Sequence, residues 1–281
     1  MRSMAAAEEF VDWRNRYDLW LEAFIVFNFL CLTGDIFLAH SANAFRNAAE
    51  YIPLYFSAIG AVMLAIAFGL RLKREESRIW RYAGILIGWC AIIVGAAGVI
   101  YHLESRYFYE RTLRSLTYTA PFAAPLSYLG LGFLLLLNRM VGQRTKEWAQ
   151  WVIFLALGGF AGNFVLSLTD HAINGFFHWT EWIPVISSAF AIGFLLVLLL
   201  SNTRRGYVWL CAAVVVLQLA VGVLGFLLHG WADLHGPSAS LWANIVHGAP
   251  PFAPLLLPNL AILGILGLLA WARLPETENG I

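Results

Sequence analysis

The seven histidines are the residues of this sequence best suited to chemistry, because imidazole binds metals and exchanges protons near neutral pH. Each lies at the end of an apolar segment or in the loop that follows one: His40, His102, His171, His178, His229, His235 and His247. Carboxylates accompany them, since Glu104 follows His102, Asp170 precedes His171 and Asp233 lies shortly after His229. Imidazole together with carboxylate is a ligand combination typical of zinc, copper and non-haem iron.

A motif around two of these histidines occurs twice. Residues 40–53 read HSANAFRNAAEYIP and residues 171–184 read HAINGFFHWTEWIP, in constant register from His40 and His171 to Pro53 and Pro184. The polar residues of each copy fall at i, i+3, i+7 and i+10: His40, Asn43, Asn47 and Glu50, then His171, Asn174, His178 and Glu181. This spacing predicts one stripe of a short helix that lies in the membrane interface.

These patterns predict a metal site made by histidines that are distant in sequence and meet at one end of the folded chain. The ligands that we expect are His40, His102, His171, His229, Asp170 and His178. The residues that we expect to support them or to contact a substrate are Asp35, Glu50, Glu104, Asn43, Asn174, Glu181, Asp233, His235, His247 and Arg106. Asp35 belongs to this set because an ionisable side chain inside an apolar span is costly.

The chemistry of the histidines is open to three interpretations. A divalent transition metal (Zn, Cu or Fe) is the first, and haem or another tetrapyrrole held by axial histidines is the second. The third needs no cofactor, because the same residues would form the wet side of amphipathic interfacial helices.

The elements that position these residues are membrane-spanning helices. Hydrophobic residues make up 60% of the 281 residues and charged residues only 12%, about half the charged share of a soluble domain. Apolar segments of about the length that crosses a bilayer run over 19–39, 52–70, 82–102, 119–138, 149–169, 183–201, 207–228 and 251–272. The sequence therefore predicts an all-α, polytopic membrane bundle of about eight transmembrane helices in a single domain, residues 1–281.

The repeated motif also predicts the internal architecture. A second, looser match joins YTAPFAAPL at 118–126 to HGAPPFAPL at 247–255, so that Pro121 corresponds to Pro250. Together the matches indicate two parallel four-helix repeats, approximately 19–138 and 149–272. The density of proline at the start of the fourth and eighth segments predicts an extended or kinked beginning that protein must shield.

Lysine and arginine predict the orientation. All but Arg46, Arg106, Arg111 and Arg114 of the 18 basic residues fall in segments on one side of the predicted membrane. Because short cytoplasmic loops carry the positive excess, both termini are expected in the cytoplasm and the histidine-rich loops on the opposite face. Glu22, near the basic end of the first segment, is interpreted as an interfacial charge.

These features favour an integral membrane metalloprotein whose site opens to the non-cytoplasmic face, a redox or hydrolytic enzyme for a lipid-like or small apolar substrate. A transporter of a small neutral or hydrophobic solute is one alternative, and an accessory or structural subunit of a larger membrane complex is another. The expected partners are the lipid bilayer and other membrane proteins or further copies of this chain. Nothing in the charge balance favours nucleic acid, and phosphate-loop and nucleophile-elbow motifs are absent from the sequence.

Overall fold

The computed structural model describes residues 15–73, 78–201 and 203–274, and these residues form helices and connecting turns without a strand. Both termini, residues 1–14 and 275–281, lie outside the described residues. The helices are α1 (Tyr17–Ser41), α2 (Tyr51–Lys73), α3 (Arg78–Glu104), α4 (Tyr107–Glu110), α5 (Leu113–Thr117), α6 (Leu126–Met140), α7 (Lys146–Ile173), α8 (Trp182–Leu200), α9 (Arg205–Leu234), α10 (Leu241–His247) and α11 (Leu256–Ala272). Single 3₁₀ turns at Ala48–Glu50, Trp179–Glu181 and Ala253–Leu255 precede α2, α8 and α11.

Seven of these helices are long and apolar enough to cross a bilayer: α1, α2, α3, α7, α8, α9 and α11 with its 3₁₀ turn. The 25 residues of α1, for example, span about 37 Å, against a hydrocarbon core of about 30 Å. The eighth apolar helix, α6, is shorter, with 15 residues. Each of the eight apolar segments seen in the sequence thus coincides with one helix, and the predicted all-α, multi-pass membrane bundle is confirmed.

The outward surface of the bundle is apolar, as contact with lipid requires. On α3, Leu86 and Ile93 are 60% and 65% exposed, and on α9, Leu217 and Leu227 are 54% and 61% exposed. Exposed apolar side chains spread along whole helices would be costly in water. The bilayer is therefore the solvent of these faces.

The centre of the bundle consists of α1, α6, α7 and α11. The flanking helices α2 and α3 pack on α1 and α6, whereas α8 and α9 pack on α7 and α11. Two asparagines join α1 to α11 at the centre: the Asn28 side-chain amide donates to Asn259 Oδ1 at 3.0 Å, and the Asn259 amide donates back to Asn28 Oδ1. Both amides are thereby satisfied where water has little access.

The helices α6 and α11 start at proline-rich turns, as the sequence predicts. Two glycines let the neighbouring helices approach these turns closely. A Cβ on Gly95 of α3 would lie 3.0 Å from the Pro125 carbonyl oxygen, and a Cβ on Gly222 of α9 would lie 2.7 Å from the Pro254 carbonyl oxygen. At these two carbonyls the irregular backbone is thus covered by a neighbouring helix.

The end of the bundle opposite the histidines corrects the interpretation of Glu22. Both Glu22 carboxylate oxygens accept hydrogen bonds from Arg139, each at 2.6 Å, and both side chains are fully buried. The guanidinium also lies 3.7 Å from the centre of the Trp80 ring. Glu22 is a buried ion-pair partner and not an interfacial charge, because α6 brings Arg139 to its level.

Candidate functional site

Four helix-end histidines come together in two pairs. His40 and His102, at the ends of α1 and α3, have ring centroids 6.3 Å apart with their planes at 83°. His171 and His229, at the ends of α7 and α9, have centroids 6.3 Å apart with planes at 85°. We call these the first and the second imidazole pair. In each pair the two helices are separated along the chain by one other long helix, α2 in the first pair and α8 in the second.

One histidine of each pair is held by a backbone carbonyl. His102 Nδ1 lies 2.9 Å from the Pro121 carbonyl oxygen, and His229 Nδ1 lies 2.9 Å from the Pro250 carbonyl oxygen. Because a carbonyl can only accept a hydrogen bond, Nδ1 must carry the proton in both rings. The Nε2 lone pair is then the one that remains to bind a metal.

The other histidine of each pair faces a carboxylate. His40 Nδ1 is 3.5 Å from Glu50 Oε2, and His171 Nδ1 is 3.6 Å from Glu181 Oε2. These carboxylates are largely buried, with 15% and 16% of their side chains exposed. Asn43 holds the first carboxylate by donating to Glu50 Oε1 at 3.1 Å. A carboxylate and a carbonyl are the two usual Nδ1 partners of metal-binding histidines.

A reversal of the chain places each glutamate beside its histidine. After α1, Ala44 and Phe45 adopt positive φ angles of 58° and 50°, and Phe45 N–H donates back to the His40 carbonyl at 3.1 Å. Phe176 adopts a φ of 51° and donates to the His171 carbonyl at 3.0 Å in the same way. The predicted interfacial helix through this stripe is therefore wrong, because the left-handed residues end the helix and turn the chain back.

Aromatic stacking closes each reversal. The Phe45 ring stacks on Tyr51 with centroids 4.7 Å apart, and the Phe176 ring stacks on Trp182 with centroids 3.9 Å apart. These contacts tie the loop after the histidine to the first residue of the returning helix. Such pairs contribute about 0.5–1.5 kcal/mol beyond the area they bury.

Several other predicted residues lie outside the pairs. Asp170 lines a small cavity between α7 and the segment 116–123, together with Thr119 and Pro121. Asp35 is exposed on α1, one and a half turns before His40. Five other candidates are exposed at helix ends or in loops: Glu104, Asn174, His178, His235 and His247. Asp233, in the last turn of α9, is buried.

Three of the predicted residues make local contacts within their own turn or helix. The backbone N–H of His178, and not its imidazole, donates to Glu181 Oε1 at 3.3 Å, which caps the 3₁₀ turn before α8. His235 packs on the Trp231 ring with centroids 3.9 Å apart. Arg106 pairs with Glu110 at 2.9 Å on the short helix α4, where both side chains are more than 40% exposed.

The structure divides the expected ligands into pairs rather than one cluster. Across the described ranges 15–73, 78–201 and 203–274, no three His, Cys, Asp or Glu side chains are grouped so that they could hold a metal ion. Each imidazole pair therefore offers two protein ligands. That is half of the four that a structural tetrahedral zinc site requires.

Sequence reasoning missed the carbonyl groups that orient His102 and His229. The signal was present in the looser of the two sequence matches, because Pro125 and Pro254 have no N–H to donate to the carbonyl four residues earlier, at Pro121 or Pro250. Besides the histidine, these oxygens accept only a turn hydrogen bond, from Ala124 at 3.1 Å and from Ala253 at 3.3 Å among the described backbone groups. The proline-rich turns therefore serve the histidines as well as the helix starts.

The fold and the paired imidazoles define a multi-pass membrane helix bundle with two similar polar sites at one end. No family model, curated protein or solved structure matches the chain.

Proposed function

We propose that this chain is an integral membrane redox metalloprotein with two metal centres, one held by each imidazole pair. The observation that carries the proposal is the distance between the two rings of each pair, together with the group that lies next to each Nδ1. In both pairs the centroids are 6.3 Å apart, and in both one Nδ1–H is bound to a carbonyl while the other Nδ1 faces a carboxylate. Metal-binding histidines donate their second ring N–H to such a group, as His102 and His229 do here. Glu50 Oε2 and Glu181 Oε2 lie near the other two rings without accepting a hydrogen bond.

The spacing favours two imidazoles on opposite sides of one metal. With metal–nitrogen bonds of about 2.0–2.1 Å and each nitrogen about 1.1 Å from its ring centre, opposite ligands place the ring centres roughly 6.2–6.4 Å apart. A tetrahedral angle would bring the centres to roughly 5.2 Å by the same bond lengths. Metals that take two opposite imidazoles are haem iron and Cu(I), and both change oxidation state readily. They are therefore better matched to these pairs than zinc.

Purified protein in detergent tests this function directly. Elemental analysis and an absorbance spectrum should show two equivalents of copper, or two of haem iron, per chain, and the spectrum separates these two sources. Replacing His102 by Ala should remove one equivalent, and replacing His229 by Ala should remove the other. The matched control is His247→Ala, an exposed histidine at the end of α10. Protein that carries no stoichiometric metal after reconstitution with copper or haem would refute the proposal.

The same proposal includes the arrangement of the halves and their orientation. The equality of the two pairs supports two parallel repeats, because corresponding contacts in the two halves have matching distances. The distribution of Lys and Arg supports cytoplasmic termini, with both imidazole pairs at the non-cytoplasmic face. Single cysteines introduced at Glu104 and at Arg144 should then react with a membrane-impermeant thiol reagent from opposite sides of intact cells or vesicles. Reaction from the same side would contradict this topology.

A further inference from the structure

The cavity beside Asp170 combines a half-buried carboxylate with room for one small guest. It lies between the last turns of α7 and the segment 116–123, which leads from the end of α5 towards α6. Its volume is about 10 Å³, close to the smallest that admits one water molecule. Asp170 makes no hydrogen bond or ion pair with any residue of the described ranges. An ionised carboxylate without a partner is costly at this depth, and a guest with positive charge removes that cost.

The three hydroxyl groups of the lining have already committed their protons. Thr169 Oγ1 donates to a backbone carbonyl at 2.9 Å and Thr117 Oγ1 to another at 3.1 Å, each within its own helix. Thr119 Oγ1 donates to the His102 carbonyl at 2.6 Å. A hydroxyl has one proton and two lone pairs, so each of these groups can offer a guest only a lone pair. The side chains of the cavity therefore suit a cation rather than an acceptor.

The segment 116–123 adds backbone carbonyls that are not used by a helix. Thr119, Ala120 and Phe122 lie outside the helices, and their carbonyl oxygens accept no hydrogen bond from the described groups. Pro121 has no N–H to donate to the Thr117 carbonyl four residues earlier. Unwound backbone carbonyls next to helix ends are what membrane transporters use to coordinate Na⁺.

The composition of the lining selects a hard, singly charged cation. It contains one carboxylate and neither histidine nor cysteine, so every available ligand is an oxygen. Oxygen ligands suit hard cations better than zinc or copper. Ca²⁺ takes 6–8 oxygen ligands, and Mg²⁺ usually keeps several waters, for which a cavity of this size has no room. A small monovalent ion, balanced by one carboxylate, fits both the charge and the volume.

We propose that this cavity binds one Na⁺ through the carboxylate and hydroxyl oxygens of its lining: Asp170, Thr169, Thr117 and Thr119. The ion joins the two halves of the chain, because α7 belongs to the second half and the segment 116–123 to the first. The site goes beyond the proposed function, since it uses none of the paired imidazoles and needs no metal bound to them.

Binding of radioactive Na⁺ to the purified protein in detergent tests the site. One Na⁺ per chain should bind saturably, and unlabelled Na⁺ should compete better than K⁺, which is the larger ion. Asp170→Asn keeps the shape of the side chain but removes its charge, and it should abolish this binding. Asp35→Asn is the matched control, because Asp35 is an exposed carboxylate on α1 outside the cavity lining, and this variant should bind Na⁺ like the unchanged protein.

Thr169 separates the loss of a ligand from a change of shape. Thr169→Val keeps the shape and removes the hydroxyl, so Na⁺ affinity should fall by about tenfold or more. Thr169→Ser keeps the hydroxyl and should bind Na⁺ nearly as well as the unchanged protein.

Unfolding in detergent provides the second measurement and the control for folding. NaCl should raise the unfolding midpoint of the unchanged protein relative to the same concentration of choline chloride, because the ion binds only the folded chain. Asp170→Asn should unfold cooperatively in choline chloride and gain nothing from NaCl. Absence of saturable Na⁺ binding to the unchanged protein, or unaltered binding in Asp170→Asn, would overturn the inference. Na⁺ binding by a protein that takes up neither copper nor haem would instead refute the proposed function alone.

Discussion

The Glu22–Arg139 ion pair makes a quantitative prediction about stability. Replacing Glu22 by Gln keeps the size and shape of the side chain but leaves the Arg139 guanidinium buried without a counter-charge. Two unit charges about 4 Å apart attract by about 4 kcal/mol at an effective dielectric constant of about 20. Both side chains are fully buried, so solvent does not screen this attraction. We expect Glu22→Gln to destabilise the bundle by about 3–5 kcal/mol.

The second half of the chain suggests the control. In the register that relates the two histidine pairs, Glu22, Arg139 and Gly84 match Ile153, Leu268 and Cys211, which are all buried. Gly84 leaves room for the guanidinium, because a Cβ at this position would overlap Arg139 Nε. In the second half Leu268 stands in place of Arg139, so the residue that matches Gly84, Cys211, does not need that space. The triple variant Glu22→Ile, Arg139→Leu, Gly84→Cys should therefore be as stable as the unchanged protein or more stable, by up to about 4 kcal/mol.

Unfolding in mixed micelles, by titration with sodium dodecyl sulfate, measures both effects through tryptophan fluorescence and circular dichroism. Comparison at a common detergent composition avoids a long extrapolation. The reasoning is refuted if Glu22→Gln costs less than about 1 kcal/mol, because the pair would then contribute no more than an exposed one. It is also refuted if the apolar triple variant is less stable than Glu22→Gln alone.

Three further predictions follow from packing, hydrogen bonding and ligand chemistry. Gly222→Ala should destabilise the bundle by about 1–3 kcal/mol, because the new Cβ would overlap Pro258 Cδ. Gly230→Ala on the same helix places its Cβ in open space and should be neutral. The same micelle titration compares the two variants. Asn28→Leu should cost about 1–3 kcal/mol by leaving the Asn259 amide without its partner, and Asn28→Leu combined with Asn259→Leu should recover most of that loss. Metal or haem should be released as the pH falls, because only neutral imidazole is a ligand, and release should be reversible on neutralisation; binding that persists unchanged in strong acid would exclude histidine ligation.

The membrane architecture was predictable from the sequence because it depends on local composition. A crossing needs about 20 apolar residues wherever it occurs, so each segment can be recognised independently of the rest of the chain. The pairing of His40 with Glu50 was signalled in part, because both recur in the same register in the second half. The local geometry was not signalled, because the ten-residue spacing between His40 and Glu50 fits a helical stripe as well as a reversed loop. In the structure Phe45 adopts a left-handed conformation, which phenylalanine rarely does, and the chain forms the reversed loop.

Contacts between distant segments were beyond sequence reasoning for a physical reason. Arg139 sits at the end of an apolar segment, where arginine usually reaches the interface, and nothing nearby in sequence marks it as buried. Its partner lies 117 residues earlier on another helix. The division of the histidines into two pairs has the same origin. It depends on which helix ends become neighbours, and that is set by packing of the whole bundle.

The separation of Glu22 from Arg139 has a consequence for how the protein is made. At a synthesis rate of about 5–20 residues per second, the 117 residues between the two take roughly 6–23 s, so the carboxylate on α1 is made that long before its counter-charge. Throughout that interval the first helix carries an acid that is costly to hold in lipid. The packing of α1 against α6 is therefore completed only when α6 has been made. A ribosome stalled before α6 should leave a nascent chain that membrane proteases recognise.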